Sequence, residues 1–258
     1  MSRRLTTQEI EAWRYRGWLV VPAILSAETV QALPGWLEAI ARPPAAGAQR
    51  QHYFEETQSG PAICRTERFL ADHAGLDGLI SAGAVPEIAA ALNGEPMLLY
   101  KEKVNYKYPG GAGFAAHQDA TAYPYVQVNV TALVPVDPMT PENGCLEFAR
   151  LESSALLPAD DRGCIAAAAL DSLAFEPVPL QPGDVLFFTS YAPHRSGPNR
   201  TNSPRRALYL TYNRAKDGEL RSHYYGERDR RLAAQGDRPE AISMIRHFQG
   251  TATRGPGA

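Results

Sequence analysis

The stretch AAHQDATAYPY, residues 115 to 125, sets His117 and Asp119 two positions apart. On a strand that spacing sends both side chains off the same face, so two metal-ligating groups converge on one point. A histidine hydrogen-bonded to a surface carboxylate has the same signature, and a third partner is needed to separate the two. LFFTSYAPHRSGPN, residues 186 to 199, supplies one: His194, just past the end of a strand-like run that opens at QPGD. Two histidines and a carboxylate occupy one face of an octahedron and leave three positions open, the ligand set of non-haem Fe(II) oxygenases. Zinc hydrolases draw on the same residue types but keep one position open. His52, His73, His223 and His247 have no ligating partner two residues away and read as solvated or structural.

The rest of the chain has to position these groups. LTTQEIEAWRYRGWLVV opens as a helix capped by Thr6 or Thr7, with Glu9 in its first turn, Ile10, Trp13 and Tyr15 along one side, and Gly17 as its stop. WLVVPAIL is a short strand, and SAETVQALPGWLEAI a second helix with Ser26 as N-cap. ARPPAAGAQRQ is loop, and DGLISAGAVPEIAAALNG a further helix ended by Asn93-Gly94. The texture then changes. PMLLYKEKVNYKYPGG, YVQVNVTALVPV, LAFEPVPLQPGDVLFFTS and RRALYLTYNRA are strand-like and are separated by Pro-Gly, Asn-Gly and Pro-Gly-Asp turns. Helices followed by short antiparallel strands define an α+β chain with a β-sandwich or barrel core. The expected division is one domain over 1–258: a helical part to about residue 94, a β part over about 95–215, and a C-terminal segment 216–258 whose tail TATRGPGA is mobile.

Bulk properties narrow the function. Lys and Arg number 26 against 28 Asp and Glu, for a net charge of -2, so there is no electrostatic footprint for nucleic acid or an anionic membrane. No run approaches the roughly 18 apolar residues of a membrane span, and MSRRLTTQEI lacks the apolar core of a secretory signal. Cys64, Cys145 and Cys164 are three in number and unpatterned, which fits buried thiols in a reducing cytoplasm.

The order HQD, ENGCLEF, LQPGDVLFF, PHRSGPN and PRRALYLTYN, with the opening GWLVVPAILSAETVQAL, resembles the phytanoyl-CoA dioxygenase-like group of Fe(II)- and 2-oxoglutarate-dependent oxygenases. The resemblance spans nearly the whole chain. It implies a double-stranded β-helix, the cupin-like jelly roll, with the N-terminal helices flanking it. It also implies His117, Asp119 and His194 as iron ligands, with 2-oxoglutarate and O2 as co-substrates. The aspartate is present, as in hydroxylases; related halogenases carry a small residue there. A 2-oxoglutarate site needs a cation for the distal carboxylate, and bidentate arginine suits it. Arg205, eleven residues after His194, stands at the family's arginine position, and Arg206 then points to the opposite face. Ser196 and Asn105 match family positions that hydrogen-bond the co-substrate. Thr131 shares a strand face with Gln127, Asn129 and Leu133 and is a further candidate. Each of these also fits ordinary hydrogen bonding within a sheet.

The substrate side begins with LLYKEKVNYKYPGG. If Asn105 faces the cavity, alternation puts Lys101, Lys103 and Lys107 beside it and Tyr100, Glu102, Val104 and Tyr106 on the other face. Inward lysines favour an anionic substrate; lysines lining a sheet edge against aggregation give the same pattern. YKEKVNYKYPGGAGFAAHQDA, ENGCLEF, PHRSGPNRTNSPRRALYLTYNRA and ICRTERF resemble the subgroup that hydroxylates 2-aminoethylphosphonate and its N-methylated relatives next to phosphorus. That likeness implies a small anionic substrate walled by Lys101, Lys103, Tyr123, Gln127, Asn129 and Tyr209, with an ammonium end resting on tyrosine faces. The alternatives are a hydroxylase of a natural product or amino acid, or a non-catalytic cupin-like metal-binding protein. The expected assembly is a monomer or homodimer.

Overall fold

The computed structural model describes residues 3–255 apart from 46–47, 58–59, 124–125, 127, 151–154 and 236–241. Thr6 and Glu9 cap the first helix reciprocally: the Thr6 hydroxyl accepts from the Glu9 N–H, and the Glu9 carboxylate accepts from the Thr6 N–H. Gly17, at φ 77°, ends that helix and turns the chain into the first strand. The helices are α1 (Thr7–Arg16), α2 (Ala27–Ala41), α3 (Ala74–Ser81), α4 (Ala84–Asn93), α5 (Ala167–Leu170) and α6 (Arg221–Gln235). The strands are β1 (Trp18–Val21), β2 (Gln51–Thr57), β3 (Gly60–Glu67), β4 (Met97–Lys107), β5 (Phe114–His117), β6 (Asn129–Pro135), β7 (Leu146–Ala149), β8 (Phe175–Val178), β9 (Val185–Thr189), β10 (His194–Ser196), β11 (Arg205–Arg214) and β12 (Ala252–Arg254).

Eight strands form an antiparallel sheet in the order β1-β9-β6-β11-β4-β3-β2-β12, and four form a second in the order β5-β10-β7-β8. Alternation along the large sheet makes three layers. Val104, Tyr106, Val130, Ala132, Phe187, Leu208 and Leu210 pack outward against the helices. Leu133, Leu186, Phe188, Ala207 and Tyr209 pack inward against Leu146, Phe148 and Val178 of the small sheet. The two sheets are therefore the halves of an open jelly roll rather than a closed barrel. The functional groups lie between them.

Four expectations change. The N-terminal part is not purely helical: β2 and β3 form a hairpin that extends the large sheet beyond β4. Their alternation is masked in sequence by charged residues that turn out to be buried. The single helix expected before Gly94 is two helices, broken at Gly83 (φ 80°). Residues Ala74–Asn93 have the length and hydropathy of a membrane span, yet Leu76, Ile80, Val85, Ile88 and Ala89 are buried in the core beneath the sheet. Within the tail, Ala252–Arg254 pairs with β2 as its edge strand, and residues 256–258 lie outside the described residues. Tyr15 is 58% exposed rather than part of the α1 core face, which is carried by Trp13.

Candidate active site

The ligand pair does not sit on one strand. His117 ends β5, and Asp119 opens a short 3-10 turn, Asp119–Ala122, that carries its carboxylate round beside the histidine. Gln118 holds that turn in place. Its amide donates to the carbonyls of Ala155 and Tyr191, and its side-chain oxygen accepts from the Leu157 N–H. His194 opens β10 and is the direct cross-strand partner of His117, with ring centroids 4.2 Å apart. Nδ1 of His117 lies 2.7 Å from the Ala115 carbonyl and Nδ1 of His194 lies 3.0 Å from the Ala192 carbonyl. A carbonyl can only accept, so Nδ1 carries the proton in both rings and Nε2 is left as a lone-pair donor. One ligand atom from each of His117, Asp119 and His194 lies within 4.8 Å of the others, and all three residues are buried.

The electrostatics keep the triad ready to bind a cation. Burial, with His194 adjacent, pushes the His117 imidazole down to about 3, and burial lowers His194 too. Burial thus favours the neutral form of both rings. Burial alone would raise the Asp119 carboxyl, but the nearby positive charge, Lys101 foremost, holds it below the usual carboxylate range. Two neutral imidazoles and a carboxylate that stays ionised form the donor set a divalent iron requires.

Arg205 is fully buried on the inner face of β11, opposite Lys107 of β4. One guanidinium nitrogen donates to the Gly144 carbonyl at 3.1 Å, while Nε and Nη1 have no partner among the described residues. Leaving such donors unmet in a dry interior is unfavourable, and a planar carboxylate would satisfy them. Lys107 Nζ lies alongside, donating to Ser196 Oγ at 3.0 Å and to the Gly197 carbonyl. Burial and the Arg205 charge push Lys107 well below the ordinary lysine range. Gly144 has to be glycine here: at φ 74°, a Cβ would stand 2.2 Å from the Gly197 carbonyl and 2.9 Å from Lys107 Nζ. Arg206, as expected from alternation, faces outward and is held by both carboxylate oxygens of Asp137 at 2.9 Å.

Asn105 lies on the same inner face. Its Oδ1 accepts from Arg65 Nε of β3 at 3.2 Å, which leaves its amide N–H groups to donate elsewhere. Thr131 and Thr211 share a hydrogen bond of 3.0 Å across neighbouring strands. Asn129 is 2% exposed, with neither side-chain atom partnered among the described residues. Gln127 lies outside the described residues.

The lysines point inward. Lys101 Nζ sits 4.4 Å above the Tyr123 ring and 5.5 Å above that of Tyr224, and Lys103 Nζ 4.9 Å above the Tyr209 ring. Neither ammonium has an ion-pair partner among the described residues. Burial lowers Lys101 to about 8; burial, with Arg65 and Lys101 nearby, pushes Lys103 well down. Arg65, 1% exposed, completes the wall: it meets Asn105, Glu67 and the Ile242 carbonyl, with Nη2 unpartnered. One face assignment fails. A bulge between Lys101 and Leu99 turns Tyr100 toward Tyr123 and Tyr224 instead of away from them. Glu102, Val104 and Tyr106 do face outward, and Glu102 is tied to Arg221 and Tyr225.

The C-terminal segment brings groups that sequence reasoning missed. Tyr224 and Arg228 of α6 lie one turn apart. Arg228 pairs with Glu67 at 2.8 Å, and so neutralises a carboxylate that would otherwise act on the lysines. The His247 ring packs 4.1 Å from that of His117, with Nδ1 on the Ile245 carbonyl at 2.7 Å. His247 is therefore a structural histidine, as expected, but one that props a ligand ring. An i, i+3, i+4, i+7 pattern of Arg221, Tyr224, Tyr225 and Arg228 was visible in the sequence, but a charged helical face ordinarily reads as solvated.

Known proteins share this architecture. The model of the phytanoyl-CoA dioxygenase (PhyH) family matches residues 13–207. Methylphosphonate hydroxylase of Gimesia maris is 48% identical over 254 residues, covering 97% of this chain and 98% of that protein. The 2-aminoethylphosphonate dioxygenase of an uncultured bacterium is 32% identical over 240 residues, covering 91% and 92%. Among solved structures, EctD from S. alaskensis with 2-oxoglutarate and 5-hydroxyectoine superposes with a TM-score of 0.71 at 21% identity, covering 84% of this chain and 80% of its own. The non-heme α-ketoglutarate-dependent epimerase SnoN from nogalamycin biosynthesis gives 0.67 at 24% identity, covering 81% and 82%, and shares the fold. With the triad assembled between two jelly-roll sheets, this chain belongs to the phytanoyl-CoA dioxygenase family and is an Fe(II)- and 2-oxoglutarate-dependent dioxygenase.

Proposed function

We propose that this dioxygenase hydroxylates the carbon next to phosphorus in a small organophosphonate. The observation that carries the proposal is the cationic wall of Arg65, Lys101 and Lys103 beside the triad: Arg65 Nη2 has no partner among the described residues, and of the two carboxylates that act on the lysines, Asp119 belongs to the triad and Glu67 is already paired with Arg228. Buried ammonium groups without an anion are unfavourable, and a phosphonate supplies charge and three acceptor oxygens in one compact group. The names of the two phosphonate-acting relatives support the same substrate class.

The residue roles follow. His117, Asp119 and His194 hold the iron, which when bound supplies oxidative decarboxylation of 2-oxoglutarate by O2 to succinate and CO2, coupled to insertion of one oxygen atom into a substrate C–H bond. Arg205 takes the distal carboxylate of 2-oxoglutarate on its two unpartnered nitrogens, with Lys107 and Ser196 beside it. Asn105 donates its amide to the same co-substrate, while Thr131 braces the sheet through Thr211. Lys101, Lys103, Arg65 and Asn129 bind and orient the phosphonate, and Tyr123 and Tyr209 back the lysines.

Succinate release with methylphosphonate and with its neutral dimethyl ester tests the assignment. The anion drives succinate formation and the ester does not. Lys103→Met, which keeps the side-chain volume and removes the charge, raises the KM for methylphosphonate by about 30-fold or more while moving the KM for 2-oxoglutarate far less. Equal turnover of ester and anion would remove the phosphonate assignment and leave the hydroxylase class intact.

A further inference from the structure

The aromatic surfaces beside the triad are already occupied by the chain's own cations. Tyr100, Tyr123 and Tyr224 form a compact box: the Tyr100 ring lies 5.4 Å from Tyr123 and 4.9 Å from Tyr224, and Tyr123 and Tyr224 stand edge-to-face at 6.4 Å. Boxes of this kind bind alkylammonium groups through the negative ring faces. Here the guest is Lys101, whose Nζ stands 4.4 Å over one face and 5.5 Å over another. Lys103 covers Tyr209 in the same way.

A substrate carrying its own ammonium would find no counter-charge. Among the described residues, Glu67 is bound by Arg228 and Arg65, and Glu102 lies on the opposite face under Arg221. Asp119 belongs to the metal triad. The ammonium would instead meet Lys101, Lys103 and Arg65, and like charges at short range in a desolvated site exclude a ligand strongly.

Resting on the phosphonate proposal, we infer that Lys101 is a specificity-determining residue: it fills the tyrosine box as a built-in ammonium and restricts the site to small phosphonates without a positive charge, against aminoalkyl- and trimethylammonioalkyl-phosphonates. The box wall from Tyr224 lies on α6, outside the residues 13–207 that the family model matches.

The test compares methylphosphonate, 2-aminoethylphosphonate and 2-(trimethylammonio)ethylphosphonate, by kcat/KM in the iron-loaded enzyme and by anaerobic calorimetric binding without turnover. Wild type favours methylphosphonate over both ammonium-bearing compounds by about 100-fold or more. Lys101→Met, which empties the box of charge, narrows that ratio at least about tenfold in kcat/KM and in binding, while Lys101→Arg preserves it. A second measurement needs no variant: tetramethylammonium does not compete with methylphosphonate for the wild-type protein. An unchanged ratio in Lys101→Met, comparable use of all three compounds by wild type, or competition by tetramethylammonium would overturn the inference. Absence of binding and turnover with every phosphonate would overturn the substrate assignment first, and this inference with it.

Discussion

An Asp119→Ala enzyme forms succinate at below about 1% of the wild-type rate at saturating Fe(II), 2-oxoglutarate and substrate. The carboxylate is the one anionic ligand of the set, and the neutral imidazoles of His117 and His194 cannot by themselves balance a divalent ion in this cation-rich cavity. Removing it also leaves Lys101 and Lys103 without their nearest negative charge, so the loss extends to iron affinity itself. Fe(II) binding measured anaerobically therefore falls in parallel with activity, while the thermal unfolding transition of the metal-free protein persists. Near-normal turnover by Asp119→Ala would contradict the ligand set.

The second large effect falls on the co-substrate. Arg205→Ala raises the KM for 2-oxoglutarate by the roughly 2–5 kcal/mol expected when one partner of a buried charge pair is stranded, which is at least about 30-fold. Arg206→Ala, one residue along and facing Asp137 on the outer side of the sheet, leaves that KM within about twofold and acts on thermal stability instead. Steady-state titrations of 2-oxoglutarate against both variants read the contrast directly. A reversed pair of results would place the co-substrate on the other face of β11, against the unpartnered nitrogens of Arg205.

Both predictions draw on features legible in the sequence. Period-2 alternation in PRRALYLTYN separated Arg205 from Arg206, and the same rule turned Lys101, Lys103, Asn105 and Lys107 inward together. Alternation failed at Tyr100 because the bulge opposite Thr211 and Tyr212 inserts one residue into β4, and such an irregularity leaves no mark in local composition. His117 and Asp119 were correctly paired for a reason that proved incomplete: a 3-10 turn, held by the Gln118 amide, brings them together rather than one strand face. The segments read least well were β2, β3, α6 and β12. Glu55, Arg65, Glu67 and Arg228 are buried there, and a buried charged residue looks the same in sequence as a solvated one until its partner, here as much as 177 positions away, is known. Arg65 was noticed within ICRTERF as part of a resemblance; its place beside Asn105 came only with the sheet order.

Isotope-labelled turnover tests the central claim most directly. Incubating the enzyme with Fe(II), 2-oxoglutarate, methylphosphonate and 18O2, followed by mass spectrometry of both products, tracks each oxygen atom. Hydroxylation next to phosphorus predicts hydroxymethylphosphonate and succinate in equal amounts, each carrying one atom of the label. Labelled succinate with methylphosphonate left intact, or a phosphonate product whose new oxygen comes from water, would contradict it.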